Sequence, residues 1–172
     1  MNTTSKHQQA IDAFESHYQY DGSYMRELLA SSPTAYQLFS DFLPLAHYRE
    51  QLTLEDYWLA KIAALQTADC GACLQLNIKM AREQGLPNAL IRMVIKSDAA
   101  LPEDLKQVAS YARQLVGPEG VDKELMQHMR KRYSQGQLLE FGLCVASATV
   151  FPMIKRAIGA TQSCSVIDTE LA

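Results

Sequence analysis

Apolar residues recur three and four positions apart along almost the whole chain, and no stretch alternates apolar and polar residues at a period of two. There is no Asn-Gly hairpin signal, no low-complexity tract and no internal repeat. This pattern predicts an all-α fold. Helix punctuation divides it. Lys6 to His17 reads as a first helix, which Asp21-Gly22 breaks, and Asp21 or Ser23 suits the cap of a short helix through Leu29. Ser32-Pro33 then opens a helix whose apolar face is Tyr36, Leu38, Phe39, Phe42 and Leu43. Thr53 followed by Leu54-Glu55-Asp56 is an N-cap with an acidic first turn, for a helix running to Thr67. The next helix opens near Asp69 and ends at Gly85. Pro87–Lys96, Pro102–Gly117 and Asp122–Tyr133 follow, and Ser134 starts a long apolar helix that Pro152 should bend or break. The expectation is one all-α domain of about seven to eight helices over residues 1–172, with a loose tail at 160–172.

Composition bounds the function. At 172 residues, 48% hydrophobic and 20% charged, the chain is ordinary globular material, large enough for a core without disulfides or metal. A net charge of −3 gives no bulk attraction to nucleic acid or to anionic lipid. The most apolar run, Leu138–Ile154, is shorter than the ~20 residues of a membrane span and carries Glu140. It reads as a buried core helix. The opening MNTTSKHQQAIDAF lacks the apolar region of a secretory signal. A cytoplasmic protein is therefore expected, with neither nucleic acid nor membrane as partner.

The segment Ala68-Asp69-Cys70-Gly71-Ala72-Cys73 carries the chemistry. Two cysteines three apart at a helix start share a face. In the first turn, free N–H groups and the helix dipole stabilise a thiolate, so Cys70 would be activated and Cys73 would exchange with it. Asp69 either raises the thiol pKa by its charge or caps the helix. Three readings of the pair stand open: a redox dithiol, inert packing of two small apolar side chains, and half of a metal site. Zinc would need two more ligands, and Cys144, Cys164 and His128 offer no matching pair. Cys144 reads as core and Cys164 as an incidental exposed thiol. No cofactor and no metal are expected. The four histidines, His7, His17, His47 and His128, read as surface or satisfied side chains. Met126, Met129 and Met153 read as core or interface filler, and Arg130-Lys131-Arg132 as a solvated helix end.

The segment Leu54–Gly85, LEDYWLAKIAALQTADCGACLQLNIKMAREQG, resembles the core of the carboxymuconolactone decarboxylase and alkyl hydroperoxidase D-like superfamily. Ser32-Pro33 resembles the approach to that core, and Gly136–Phe141 with Phe151–Gly159 its closing helix, so the likeness covers about residues 30–160. It implies an all-α fold and a homo-oligomer, a trimer or hexamer. Decarboxylase members generally lack the cysteine pair, so Cys70 and Cys73 favour the peroxidase branch. There the second cysteine attacks a hydroperoxide, the first resolves it, and a thiol reductant completes the cycle.

The branch pattern also places a Glu twelve residues before the first cysteine and a His four after the second. Those positions hold Trp58 and Asn77 here, and Ala72 stands before the second cysteine where His is frequent. Neither Trp nor Asn is a base near neutral pH. Glu55, one turn before Trp58, is either a substitute that reaches the pair or a first-turn acidic residue supporting the dipole. Trp58 either walls off the thiols and stacks a ligand or packs between helices. The leading expectation is an antioxidant, peroxidase-like thiol–disulfide oxidoreductase using Cys70 and Cys73, with Glu55, Trp58 and Asn77 as possible supports. The alternatives are a non-catalytic helical oligomer that binds a small ligand or senses redox state, and a lactone decarboxylase.

Overall fold

Leu54–Thr67 (α4) carries apolar residues on every face, and such a helix must be enclosed. In the computed structural model, which describes residues 3–160, it is the central helix, buried without interruption from Asp56 to Leu65. Around it run Thr3–Tyr18 (α1), Ser23–Ser31 (α2), Pro33–Ala46 (α3), Gly71–Glu83 (α5), Asn88–Lys96 (α6), Glu103–Val116 (α7), Lys123–Arg132 (α8) and Gln135–Ala157 (α9). The described residues are all-helical, with nine helices rather than seven to eight. The caps, with Gly85 and Gly117 after α5 and α7, keep neighbouring helices separate.

α4 packs against α5, α6, α7 and α9. That core holds Tyr57, Trp58, Leu74, Ile78, Val108 and Phe141. A second cluster, Ile11, Tyr24, Met25, Leu29, Tyr36 and Phe39 from α1–α3, meets it through Leu76 of α5 and Phe151 of α9. The two clusters do not close fully on one another, and the space between them is a cavity.

The caps follow the sequence closely. Ser32 Oγ accepts from Ala35 N at 3.2 Å and Thr53 Oγ1 from Asp56 N at 3.1 Å. Ser134 and Gln137 form a reciprocal capping box. Gly85, at φ +90°, follows α5, and Leu86 N bonds Ala81 O at 2.9 Å, which is a Schellman closure.

Three expectations are corrected and a fourth is narrowed. α1 begins at Thr3, three residues before Lys6. α2 has Gly22 at its N-cap with no side-chain bond, and Asp21 Oδ1 instead accepts from Ser23 N at 3.0 Å. Leu38 is 67% exposed, because two residues past Tyr36 a helix has turned to its far side, whereas Phe39 at three stays buried. α9 continues past Pro152 as one helix with that ring buried, lacking the one ladder bond that the missing N–H would make.

α9 is also only half a core helix. Phe141, Cys144, Val145 and Ala148 are buried, while Leu139, Leu143 and Met153 are exposed. By length and composition it could cross a membrane, with 39% of its most apolar window buried here. Its register is set by buried Glu140, whose carboxylate accepts from Glu50 N and Gln51 N at 2.9 Å and from Leu52 N at 3.2 Å. This ties the α3–α4 connection to α9. The tail and Cys164 lie outside the described residues.

Candidate functional site

The turn between α4 and α5 sets the cysteines. Asp69 takes φ +49°, a left-handed conformation that Asp tolerates, and Cys70 is then extended at φ −124°, ψ 91°. α5 therefore starts at Gly71. Cys70 is its N-cap rather than a first-turn residue, and Asp69 lies outside the helix rather than capping it. Cys73 falls at the third helical position. Their Cα atoms are 5.3 Å apart and the sulfurs are at disulfide distance, inside the usual span for a bridge. Arg156 of α9 donates to the carbonyl of Ala68, anchoring this turn.

The two cysteines differ in access. Both are buried, but Cys73 lines the cavity between the two clusters, and Cys70 does not. The cavity is about 270 Å³. Its wall is largely apolar and aromatic, including Phe14, Tyr24, Tyr36, Met80 and Phe151, with a few polar groups: Ser40, His47, Lys61 and Asn77. Such a lining suits a small apolar ligand oriented by few polar contacts.

The supports named from the sequence are not brought together. Asn77 does line the cavity, one turn after Cys73, and its Nδ2 donates to Cys73 O at 2.8 Å. Trp58 is 1% exposed and does not line it; its Nε1 donates to Gln84 Oε1 at 3.0 Å beyond the far end of α5, and its ring meets Tyr57 edge-on at 5.2 Å. The placement is that of a packing residue. Glu55 is half-buried in the first turn of α4 and is also absent from the cavity wall. It opens a helix ~20 Å long at 1.5 Å per residue, and Cys70 follows the opposite end.

Three features escaped the sequence reading. Lys61 is 2% exposed and faces the cavity from α4; it donates to Ala46 O and, at 2.7 Å, to Tyr57 Oη. Burial pushes its pKa below the ordinary lysine value, with the Cys144 thiol acting the other way. The signal was a single Lys inside the apolar run Leu59–Leu65. His47, expected as a surface or satisfied side chain, keeps part of its surface in solvent but turns toward the cavity, where desolvation by the surrounding wall and then Lys61 hold its pKa below the usual histidine value. A cluster of tyrosines, Tyr20, Tyr24 and Tyr36, completes the wall. By contrast His7 bonds Gln37 at 2.9 Å, His17 bonds Glu83 at 2.8 Å, and His128 is exposed on α8.

Cys144 is core, as expected: its Sγ donates to Tyr57 O at 3.5 Å and burial pushes the thiol up to about 12. Met129 is buried and Met126 half-buried, but Met153 is 63% exposed. Arg130, Lys131 and Arg132 are exposed, with Arg132 paired to Asp104 at 2.7 Å. Among the described residues no group of three or more His, Cys, Asp or Glu side chains is placed to hold a metal.

Comparison of the chain with curated proteins and with solved structures found no significant match. The family comparison did: residues 33–114, from the first residue of α3 to near the end of α7, match the model of the carboxymuconolactone decarboxylase family. The matched stretch holds Cys70, Cys73, Lys61 and Asn77, in the helical order that the resemblance led us to expect. Over residues 33–114 the chain is thus similar to the carboxymuconolactone decarboxylase family, a family of the alkyl hydroperoxidase D-like superfamily.

Proposed function

We propose that the protein is a peroxidase-like thiol–disulfide oxidoreductase, cycling Cys70 and Cys73 between dithiol and disulfide. The observation that carries this reading is the unequal access of two sulfurs at bonding distance. Cys73 meets whatever enters the cavity, and Cys70 waits behind it at the helix N-cap. In the forward half-cycle Cys73 attacks a small organic hydroperoxide, an alcohol leaves, and the resulting sulfenic acid is captured by Cys70 with loss of water. A small thiol entering the same cavity exchanges at Cys73, freeing Cys70, and a second thiol equivalent frees Cys73 and leaves as the reductant's own disulfide. The apolar wall favours a hydrocarbon-bearing peroxide over hydrogen peroxide.

An antioxidant role in the cytoplasm fits this chemistry, since a reducing compartment keeps the dithiol ready. We also propose a homo-oligomer, a trimer or hexamer, in which the exposed Leu139, Leu143 and Met153 of α9 are covered by another copy.

The test is one equivalent of cumene hydroperoxide on the reduced protein, followed by thiol trapping and peptide mapping. A rapid, reversible Cys70–Cys73 link is expected. Thiols that stay reduced would overturn the redox reading and leave the second one, a non-catalytic ligand-binding or redox-sensing oligomer. The feature favouring that alternative is an apolar cavity whose relay positions hold no base.

A further inference from the structure

The cavity that reaches Cys73 lacks the Glu and His of the family pattern, but it does not lack a nitrogen base. Lys61 lies one turn after Trp58 on α4 and shares the cavity wall with Cys73 and Asn77. Its amine donates to Ala46 O and to Tyr57 Oη, and the Tyr57 hydroxyl in turn donates to Ala46 O at 3.1 Å. No carboxylate among the described residues is paired with it. An ammonium has three N–H donors, whereas a neutral amine has two and a lone pair. Two acceptors therefore satisfy the amine and leave one ammonium donor over in an apolar space. The rings of Tyr57 and Trp58, with centroids 4.7 and 5.8 Å from Nζ, offset only part of the cost of charging it. A buried, unpaired lysine of this kind is a base rather than a fixed charge.

We propose that Lys61 takes the proton of the Cys73 thiol and returns it to the leaving oxygen, replacing the relay that Trp58 and Asn77 cannot provide. This rests on the redox reading above. Lys61 accepts the thiol proton, directly or through one water. The Cys73 thiolate attacks the terminal oxygen of the hydroperoxide, an S–O bond forms and the O–O bond breaks. The alkoxide leaves with the proton from Lys61, as an alcohol. Sulfur has lost two electrons to the peroxide, and Lys61 is neutral again. Cys70 then displaces water from the sulfenic acid. Tyr57 and the Ala46 carbonyl act by position, since they fix the direction of the amine.

The groups facing Lys61 are few. Tyr57 adjoins it on α4, His47 follows α3, Cys144 comes from α9, Cys73 from α5, and Tyr20, Tyr24 and Tyr36 close the far wall. Arg49 and Glu140 act on Tyr57, and Glu140 on Cys144 as well. Burial keeps the Cys144 thiol and the phenols protonated. Cys73, Lys61 and His47 are therefore the groups whose parts the variants below must separate.

The test is the pH profile of Cys73 alkylation by iodoacetamide in the reduced full-length protein, read by peptide mapping for wild type, Lys61→Met, Tyr57→Phe and His47→Gln. Lys61→Met should raise the apparent Cys73 pKa by at least about one unit, slowing alkylation about tenfold at pH 7. Tyr57→Phe, which keeps the lysine but loosens it, should move the profile the same way by less, and it carries the test if Lys61→Met does not fold. An unmoved profile in both variants overturns the proposal. So does a shift seen with His47→Gln and not with Lys61→Met, or a wild-type Cys73 that resists alkylation up to pH 9. Cumene hydroperoxide added to the same samples separates the two ideas. Fast disulfide formation in Lys61→Met with an unmoved profile sinks the role of Lys61 and keeps the peroxidase reading. A Lys61-dependent profile without any disulfide sinks the peroxidase reading and leaves Lys61 as activator of the thiol.

Discussion

Glu140→Gln is the substitution whose cost the structure specifies most directly. The Glu140 carboxylate is 2% exposed and accepts three backbone N–H groups: Oε1 takes Glu50 at 2.9 Å and Leu52 at 3.2 Å, and Oε2 takes Gln51 at 2.9 Å. Glutamine keeps the shape and loses one acceptor. With its oxygen at the Oε1 position, its NH₂ points at Gln51 N–H, donor against donor; flipped, it faces two donors. At least one part-buried N–H is stranded, and the surviving bonds become neutral. A hydrogen bond to a charged group contributes ~1.5–3 kcal/mol and a stranded buried donor costs ~1–3 kcal/mol. The expected destabilisation is therefore about 3 kcal/mol. With a urea m-value of about 2 kcal/mol/M, the unfolding midpoint should fall by about 1.5 M at unchanged slope. Ala46, the acceptor that holds Lys61, lies just upstream of this connection, so Cys73 alkylation should also weaken its dependence on Lys61. A loss below about 1 kcal/mol would refute the reasoning, because it would mean that the α3–α4 connection relaxes onto other acceptors or water.

Three further outcomes follow from the same geometry. The stability of wild type minus that of Lys61→Met should rise with pH and level off near 10.5. The folded pKa is lowered, so over that window the unfolded chain binds the extra proton and the slope is positive; paired urea titrations at pH 7 and 9.5 check it. Cys144, with its thiol pushed up to about 12, should remain unalkylated in native buffer while Cys73 reacts after reduction, and should react only on unfolding. Asn77→His places an imidazole one turn after Cys73 on the cavity wall and should speed oxidation by hydroperoxide at least about tenfold, read by stopped-flow, if proton transfer limits the wild type.

The family and the candidate pair were legible because both are local. Ser32, Thr53 and Ser134 cap their helices through bonds that close within three residues, and Gly85 ends α5 by its own backbone freedom. Cys70 and Cys73 are three apart, so the helix start alone sets their spacing. Leu38 and Pro152 show the limit of pattern reading. An apolar residue in a helix is not thereby on its buried face, and a proline inside one does not always end it.

The wall of the cavity was not legible, because it is assembled from α1, α2, α3, α4, α5 and α9, the α1–α2 connection and the segment after α3. Lys61 reads in sequence as one polar residue in an apolar run. What makes it a base is a carbonyl fifteen residues upstream and a pocket without counter-charge. His47 is likewise an unremarkable loop residue until α3 delivers it to the pocket rim. Helix content, caps and the C-x-x-C spacing were determined by neighbours along the chain, where hydrogen bonds of short range decide. Which sulfur meets the cavity and which nitrogen stands in it were decided only by packing, since burial and access are properties of groups brought together from distant parts of the chain.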